Sequence, residues 1–474
     1  MRSSSEQKKI QHLFSRAAFG ISVSELNKRS HQRISDAVEE LFNESGSYTA
    51  LSVLDPSKAE AMNAPDMKAL PEAERKKLRQ ERKRSLLDLN LAWLEKLWTD
   101  PARLRERMAF FWHGHFACRV EAPYAMQELN NIHRQYALGP FRDLLMAVSK
   151  SAAMLQFLNN QQNRKMHPNE NFAREVMELF TIGRGHYTEN DIREGARAFT
   201  GWGFEKETGS FVFREKAHDG GEKVFMGKTG NFQGEEIIDI ILARKDTAVF
   251  LTRKICRFFV NDMSDEKIVA ELADSYFASG YDTGALMRTI FLSDWFYKPE
   301  NIGALIKSPV DLIVGINRQI SVNYDNKDGL ILFQRALGQM LFYPPNVSGW
   351  AGGKSWIDSS SLMFRLKIAS LILNEGHIEV QPKDDLLDDK QYMVREQKRK
   401  EMQTNEHGRG MRKFHPQPDW NAFLASLPKG AGKEELISLL LLPQPSQALL
   451  QSLKVEDTKA LVMELLSTPE YQMA

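Results

Sequence analysis

Four side chains in the stretch 163–202 (Asn171, Arg174, Glu175 and Glu178) set two carboxylates beside a guanidinium and a carboxamide, spaced three and four residues apart. On a helix that spacing puts all four on one face. Glu175 and Glu178 could then act as general acid and base. Arg174 would hold an anionic group or tune a neighbouring carboxylate, with Asn171 contacting the substrate. His218, followed by Asp219, is a third candidate for proton transfer. His113 and His115 suggest different chemistry: histidines at i and i+2 can both ligate one divalent metal where the backbone is extended, but on a regular helix they diverge. Gly114 between them permits such a break. Asn346 and Trp350 sit in a loop rich in Pro, Gly, Asn and Trp, where a hydrogen bond beside a flat apolar ring suits sugar recognition. Each feature also has an architectural reading. These are a helix-fixing ion-pair cluster, core histidines bonded to carbonyls, a turn Asp beside an incidental His, and a loop pinned by tryptophans.

These residues depend on a helix–turn–helix. Pro168 and Asn169 open the first helix, and Phe172, Val176, Leu179 and Phe180 recur at helical spacing as its apolar stripe. Gly183 ends it. Thr188-x-x-Asp191 resembles a capping box that starts a second helix, burying Ile192, Ala196 and Phe199 and ending at Gly201-Trp202. A polar face of Asn, Arg and two Glu, with no lysine, suits an enclosed site. After Trp202 the pattern changes to short alternating runs, Phe211–Phe213 and Val224–Met226. They predict a β-hairpin within 203–234 that turns at Asp219-Gly220 and rests on the helical body.

The remaining chain reads as helices around one core, so the fold class is mainly α, a large multi-helix domain with a small β-hairpin excursion. Residues 1–54 supply N-terminal helices, 55–85 a charged insertion, 86–380 the main helical domain, 381–417 a second charged insertion and 418–474 closing helices. Charged residues make up 26% and hydrophobic ones 42%, ordinary for a globular chain, and the net charge of +1 creates no global field toward nucleic acid. The basic run 76–84 has interspersed Glu and Gln and no aromatics, so it reads as a solvated helix or insertion. Cys118 and Cys256 exclude a disulfide framework and are most simply buried thiols, with one bridge between them as the alternative. No run approaches the length of a transmembrane helix and no signal-peptide core opens the chain. The expectation is therefore cytoplasmic as written, or periplasmic or exported if a leader was removed. The absence of a glycine-rich phosphate loop, a Gly-x-Ser-x-Gly elbow and a His-Glu-x-x-His helix argues against nucleotide hydrolases, ordinary serine hydrolases and familiar zinc proteases.

Several stretches together resemble a bacterial family known as domain of unknown function 1800. They are HLFSRAAFG (12–20), ERMAFFWHGHF (106–116), NENFAREVMELFTIGRGHYTENDIREGARAFTGW (169–202), RKICRFFV (253–260) and LGQMLFYPPNVSGWAGGKSWIDSS (337–360). The resemblance spans nearly the whole chain and implies no catalytic residues. It also implies that an envelope protein is a plausible partner, since relatives are often encoded beside another exported family. Two functional expectations follow. One is a hydrolase using the carboxylate/His pocket, with or without metal assistance, on a glycan or other envelope-related substrate. The other is a non-catalytic assembly factor that binds glycan or protein.

Overall fold

Leu89, Trp93, Leu94 and Leu97 recur every three or four residues and form the buried face of a 28-residue helix, Glu72–Thr99. The computed structural model describes residues 4–55, 70–374, 414–453 and 457–474. Residues 72–85, expected to belong to a charged insertion, are the opening turns of this helix. They are charged because most of them face solvent. Of the two expected insertions, 56–69 and 381–413 lie outside the described residues, as do 375–380 of the expected main domain. The end of the second packs on the core: Phe414 is buried, and Pro416–Pro418 pairs as a strand with Val322–Tyr324.

The helix Arg103–His115 runs through the centre, burying ten side chains including Met108, Phe111 and Trp112. It packs against Ser4–Ala18, Glu72–Thr99 and Pro123–Gln135. One ion pair ties three of these helices together. Arg134, from Pro123–Gln135, donates to both carboxylate oxygens of Glu106, Nε to Oε1 at 2.5 Å and Nη2 to Oε2 at 3.1 Å. Trp93 Nε1, from the long helix, donates to the same Oε2 at 3.0 Å. Asn130 and Asn131 accept two more guanidinium hydrogens, at 2.9 and 2.8 Å. Both charged side chains are essentially inaccessible.

The fold is mainly α, as expected, with three two-stranded antiparallel sheets among the described residues. The strand pairing corrects one expectation. Phe211–Phe213 does not pair with the strand after Asp219-Gly220. It pairs with Trp202–Phe204, and Lys223–Phe225 pairs with Lys228–Gly230. Met226 and Gly227 both adopt positive φ, 48° and 78°, which makes the tight second turn there. Both cysteines are free and buried. Among the described residues no helix is long and apolar enough to cross a membrane.

Removing one member of a buried, hydrogen-bonded pair strands the other charge. Glu106→Ala is therefore expected to lower stability by about 3–5 kcal/mol. Glu121→Ala, at an exposed position, is expected to change it by less than about 0.5 kcal/mol. Urea unfolding of the two variants against the parent checks the difference.

Candidate functional site

The helix–turn–helix forms where expected. Asn169 Oδ1 caps the first helix by accepting from Asn171 N at 3.0 Å, and Gly183 ends it with φ +82°. Thr188 and Asp191 make a reciprocal capping box. The first helix, however, changes pitch: Glu170–Glu175 is α, whereas Val176–Thr181 is π-helical. The wider turn rotates Glu178 away from the phase that an α-helix would give it, and the four polar residues do not form one enclosed face.

Their partners show the division. Arg174 pairs with Glu189 at 2.9 Å and Glu170 at 3.3 Å on the outside of the helix pair. Asn171 is exposed, and its side-chain amide donates to Leu158 O at 3.3 Å. Glu178 is held by Arg184, with Nε 2.5 Å from Oε1, and by the Tyr187 hydroxyl at 2.9 Å. Glu175 is half-buried and makes no hydrogen bond or ion pair among the described residues. Burial, then the Glu178 charge, raises its pKa, while Arg174 and Arg184 oppose the rise. His218 Nδ1 sits 2.9 Å from Thr200 O and its ring is edge-on to Phe213, so it fastens the turn to the second helix. Asp219 is bound by Arg197 at 2.7 Å.

The two metal-ligand candidates also have other partners. The helix continues through Gly114 to His115, so the expected break is absent and the imidazoles diverge. His113 Nε2 accepts from Phe342 N–H at 3.2 Å, and burial drives its pKa down to about 3, keeping it neutral. His115 donates from Nε2 to Phe180 O at 3.0 Å; burial, then the Lys254 charge, lowers its pKa well below the ordinary value. Among the described residues no group of three or more His, Cys, Asp or Glu side chains is placed to hold a metal ion. Asn346 is exposed and uses its side chain to accept from Ser348 N at 2.9 Å, closing a turn.

Of the expected substrate-binding residues, Trp350 lines a cavity of ≈ 400 Å³. His115 also reaches this wall. The loop carrying Trp350 presses on the central helix at Gly349, where φ is +75° and an added Cβ would lie 2.5 Å from Gly114 O. Only glycine fits that approach without displacing the backbone.

Cations dominate the cavity wall: Arg16, Arg107, Lys254, Arg257 and Lys307, against the carboxylates of Asp262 and Asp311. Arg107 donates from Nε to Arg16 O at 3.0 Å, pairs with Asp311 and lies 4.6 Å from the ring centroids of Phe19 and Phe258. Arg16 is 0% exposed, and its one hydrogen bond is to Asn301 O at 3.0 Å; Nε and Nη1 have none. Burial, then the Arg107 charge, lowers its pKa to about 9, which leaves it charged at pH 7. Burial lowers Lys254 to about 8 and Lys307 to about 7; for Lys307, Asp311 opposes the shift and Arg365 adds to it. Lys254 Nζ reaches Leu179 O at 3.4 Å, and Lys307 Nζ donates to Tyr471 O at 2.7 Å. The Leu179 and Phe180 carbonyls, near the end of the π-helical turn, thus accept from Lys254 and His115 of this wall. Sequence reasoning passed over the five cations, although two of them interrupt apolar runs: Arg16 in LFSRAAFG and Arg257 in ICRFFV. A charge inside an apolar stripe was the available signal.

Because the pKa of Glu175 is raised in the fold, its ionised form costs stability. The cost is absent at pH low enough to protonate the carboxyl in both states, grows as pH rises above the unfolded-state pKa, and is complete once pH passes the folded-state pKa. Glu175→Gln is expected to be more stable than the parent at pH 7 and to lose that advantage near pH 3. Thermal melts at the two pH values check the sign.

No curated protein and no solved structure matches the chain. A family model described as "Protein of unknown function (DUF1800)" matches residues 12–473. The chain therefore belongs to that family.

Proposed function

We propose that this protein binds an anionic small molecule, or the anionic end of a larger one, in the cavity between the central helix and the Trp350 loop. The observation that carries this reading is the excess of unpaired positive charge. Arg16, Lys254, Arg257 and Lys307 have no carboxylate within 4 Å among the described residues, yet they converge on one cavity. Cations held together without counter-ions are costly, and an anion that enters relieves the cost. Trp350, Trp356 and Phe258 add flat apolar surface beside the charges, which suits a ligand with a ring next to its anionic group. This reading develops the binding-protein expectation. A glycan carrying acidic groups, or an envelope component with a carboxylate or phosphate, would satisfy it.

The hydrolase expectation has a narrower support in Glu175, a half-buried carboxyl with a raised pKa and no partner. Such a group can donate a proton. His218, Glu178, His113 and His115 are each engaged elsewhere, so binding has the broader physical basis.

The protonation of the two amines gives the binding reading a sign. Lys307 near 7 and Lys254 near 8 are both charged at pH 6 and largely neutral at pH 9. Phenyl sulfate and benzoate keep a constant charge over this range, so a change in their affinity reports on the protein. Calorimetry is expected to show binding that weakens from pH 6 to pH 9 by about tenfold or more, with proton uptake on binding at pH 8. Lys307→Met and Lys254→Met are each expected to flatten the pH dependence. An affinity independent of pH, and unchanged in both variants, would sink the proposal.

A further inference from the structure

A second cleft, ≈ 470 Å³ in volume, lies where the ends of four helices meet: Val23–Lys28, Glu72–Thr99, Pro309–Gln319 and Trp420–Ser426. Its size falls within the range of small-molecule sites, about 300–1,000 Å³. Its electrostatics differ from those of the basic cavity. Arg103 is paired with Glu25, and Asp100 with Lys96, so these charges are already neutralised. Of the other charged side chains in the wall, Arg318 and Asp419 have no ion pair within 4 Å among the described residues, and their charges cancel.

What remains available in this cleft is uncharged or balanced hydrogen-bonding capacity beside two aromatic rings, the half-buried Trp98 and the buried Phe423. Trp98 Nε1 and the side-chain amide of Gln319 make no hydrogen bond among the described residues. The hydroxyls of Ser24 and Ser321, both at exposed positions, are likewise uncommitted. Arg318 donates from Nη2 to Leu97 O at 2.9 Å, and its Nη1 makes no hydrogen bond among the described residues. An anion would find too little net positive charge here, and a purely apolar ligand would strand the amide and the guanidinium. A ring with an apolar face and several hydroxyls that both donate and accept meets every requirement.

We infer that this cleft binds an uncharged saccharide, one sugar ring lying against Trp98 while its hydroxyls bond to Gln319, Arg318, Ser24 and Ser321. The inference is independent of the anion site, because no residue lines both cavities.

The test uses the full chain with maltotetraose, cellotetraose and chitotetraose, followed by an array of other uncharged oligosaccharides, read by calorimetry and by saturation-transfer NMR. At least one is expected to bind, with affinity reduced tenfold or more by Trp98→Ala and by Gln319→Ala. Lys254→Met, in the other cavity, is expected to leave saccharide affinity within twofold. Trp98 contributes to packing, so Gln319→Ala decides the matter if the tryptophan variant fails to fold. Binding of none of these sugars, or binding that survives Gln319→Ala unchanged, overturns the inference. Loss of phenyl sulfate binding in Lys254→Met with saccharide binding intact separates the two sites.

Discussion

The guanidinium of Arg134 and the carboxylate of Glu106 meet in the middle of the apolar core, where neither ion could remain without the other. Desolvation of two such charges is offset because both carboxylate oxygens and all three guanidinium nitrogens find partners: the bidentate contact, the Trp93 indole and two asparagine carboxamide oxygens. That completeness sets the mutual rotation of the helices Glu72–Thr99, Arg103–His115 and Pro123–Gln135. A helix turned by one residue would carry Glu106 out of reach and bring Arg107 into the core in its place. The ion pair therefore determines which side of the central helix faces the cavity.

Arg107 shows the consequence. It follows Glu106 directly, so the helical step of roughly 100° points it out of the core cluster and toward Arg16 and Asp311. From there the basic cavity is assembled from distant segments: residue 16 from the first helix, 254 and 257 from Lys245–Phe259, 307 from the turn before Pro309–Gln319, and Trp350 from a loop. The π-helical turn Val176–Thr181 reaches the same wall with its terminal carbonyls, which accept from His115 and Lys254. Helix ends leave carbonyls without internal partners, and here a histidine and a lysine of the wall satisfy two of them. His115 thus serves the wall through hydrogen bonding in its neutral form, and the lysine remains a cation with no counter-ion.

The two clefts illustrate how the same residue types acquire different roles through pairing. In the basic cavity most cations lack carboxylate partners and the surrounding aromatic rings cannot neutralise them. At the other cleft, each charged group either has its partner or is balanced across the wall. Counting arginines in the sequence could not have separated these cases, because the distinction lies in which carboxylates stand within reach.

Much of the architecture was legible from the sequence by itself. Periodic apolar residues, the Asn169 and Thr188–Asp191 caps and the Gly183 stop are local signals, and each acts over a few residues along one chain segment. They determined a mainly helical fold and the helix–turn–helix at 170–198. The pitch change at Val176 was not legible, since α and π turns share composition and the choice rests on what packs around them. Nor was the strand pairing, because Phe211–Phe213 carries the same alternation whichever partner it takes. The site residues divided for the same reason. Glu178, Arg174 and His218 have suitable chemistry and suitable spacing, yet tertiary neighbours Arg184, Glu189 and Thr200 take up their hydrogen-bonding capacity. The cations of the cavity come from segments up to roughly 290 residues apart, and only the folded chain brings their charges together. Local chemistry determined the elements; long-range packing, through burial and the presence or absence of a counter-ion, decided which side chains remain free to meet a ligand.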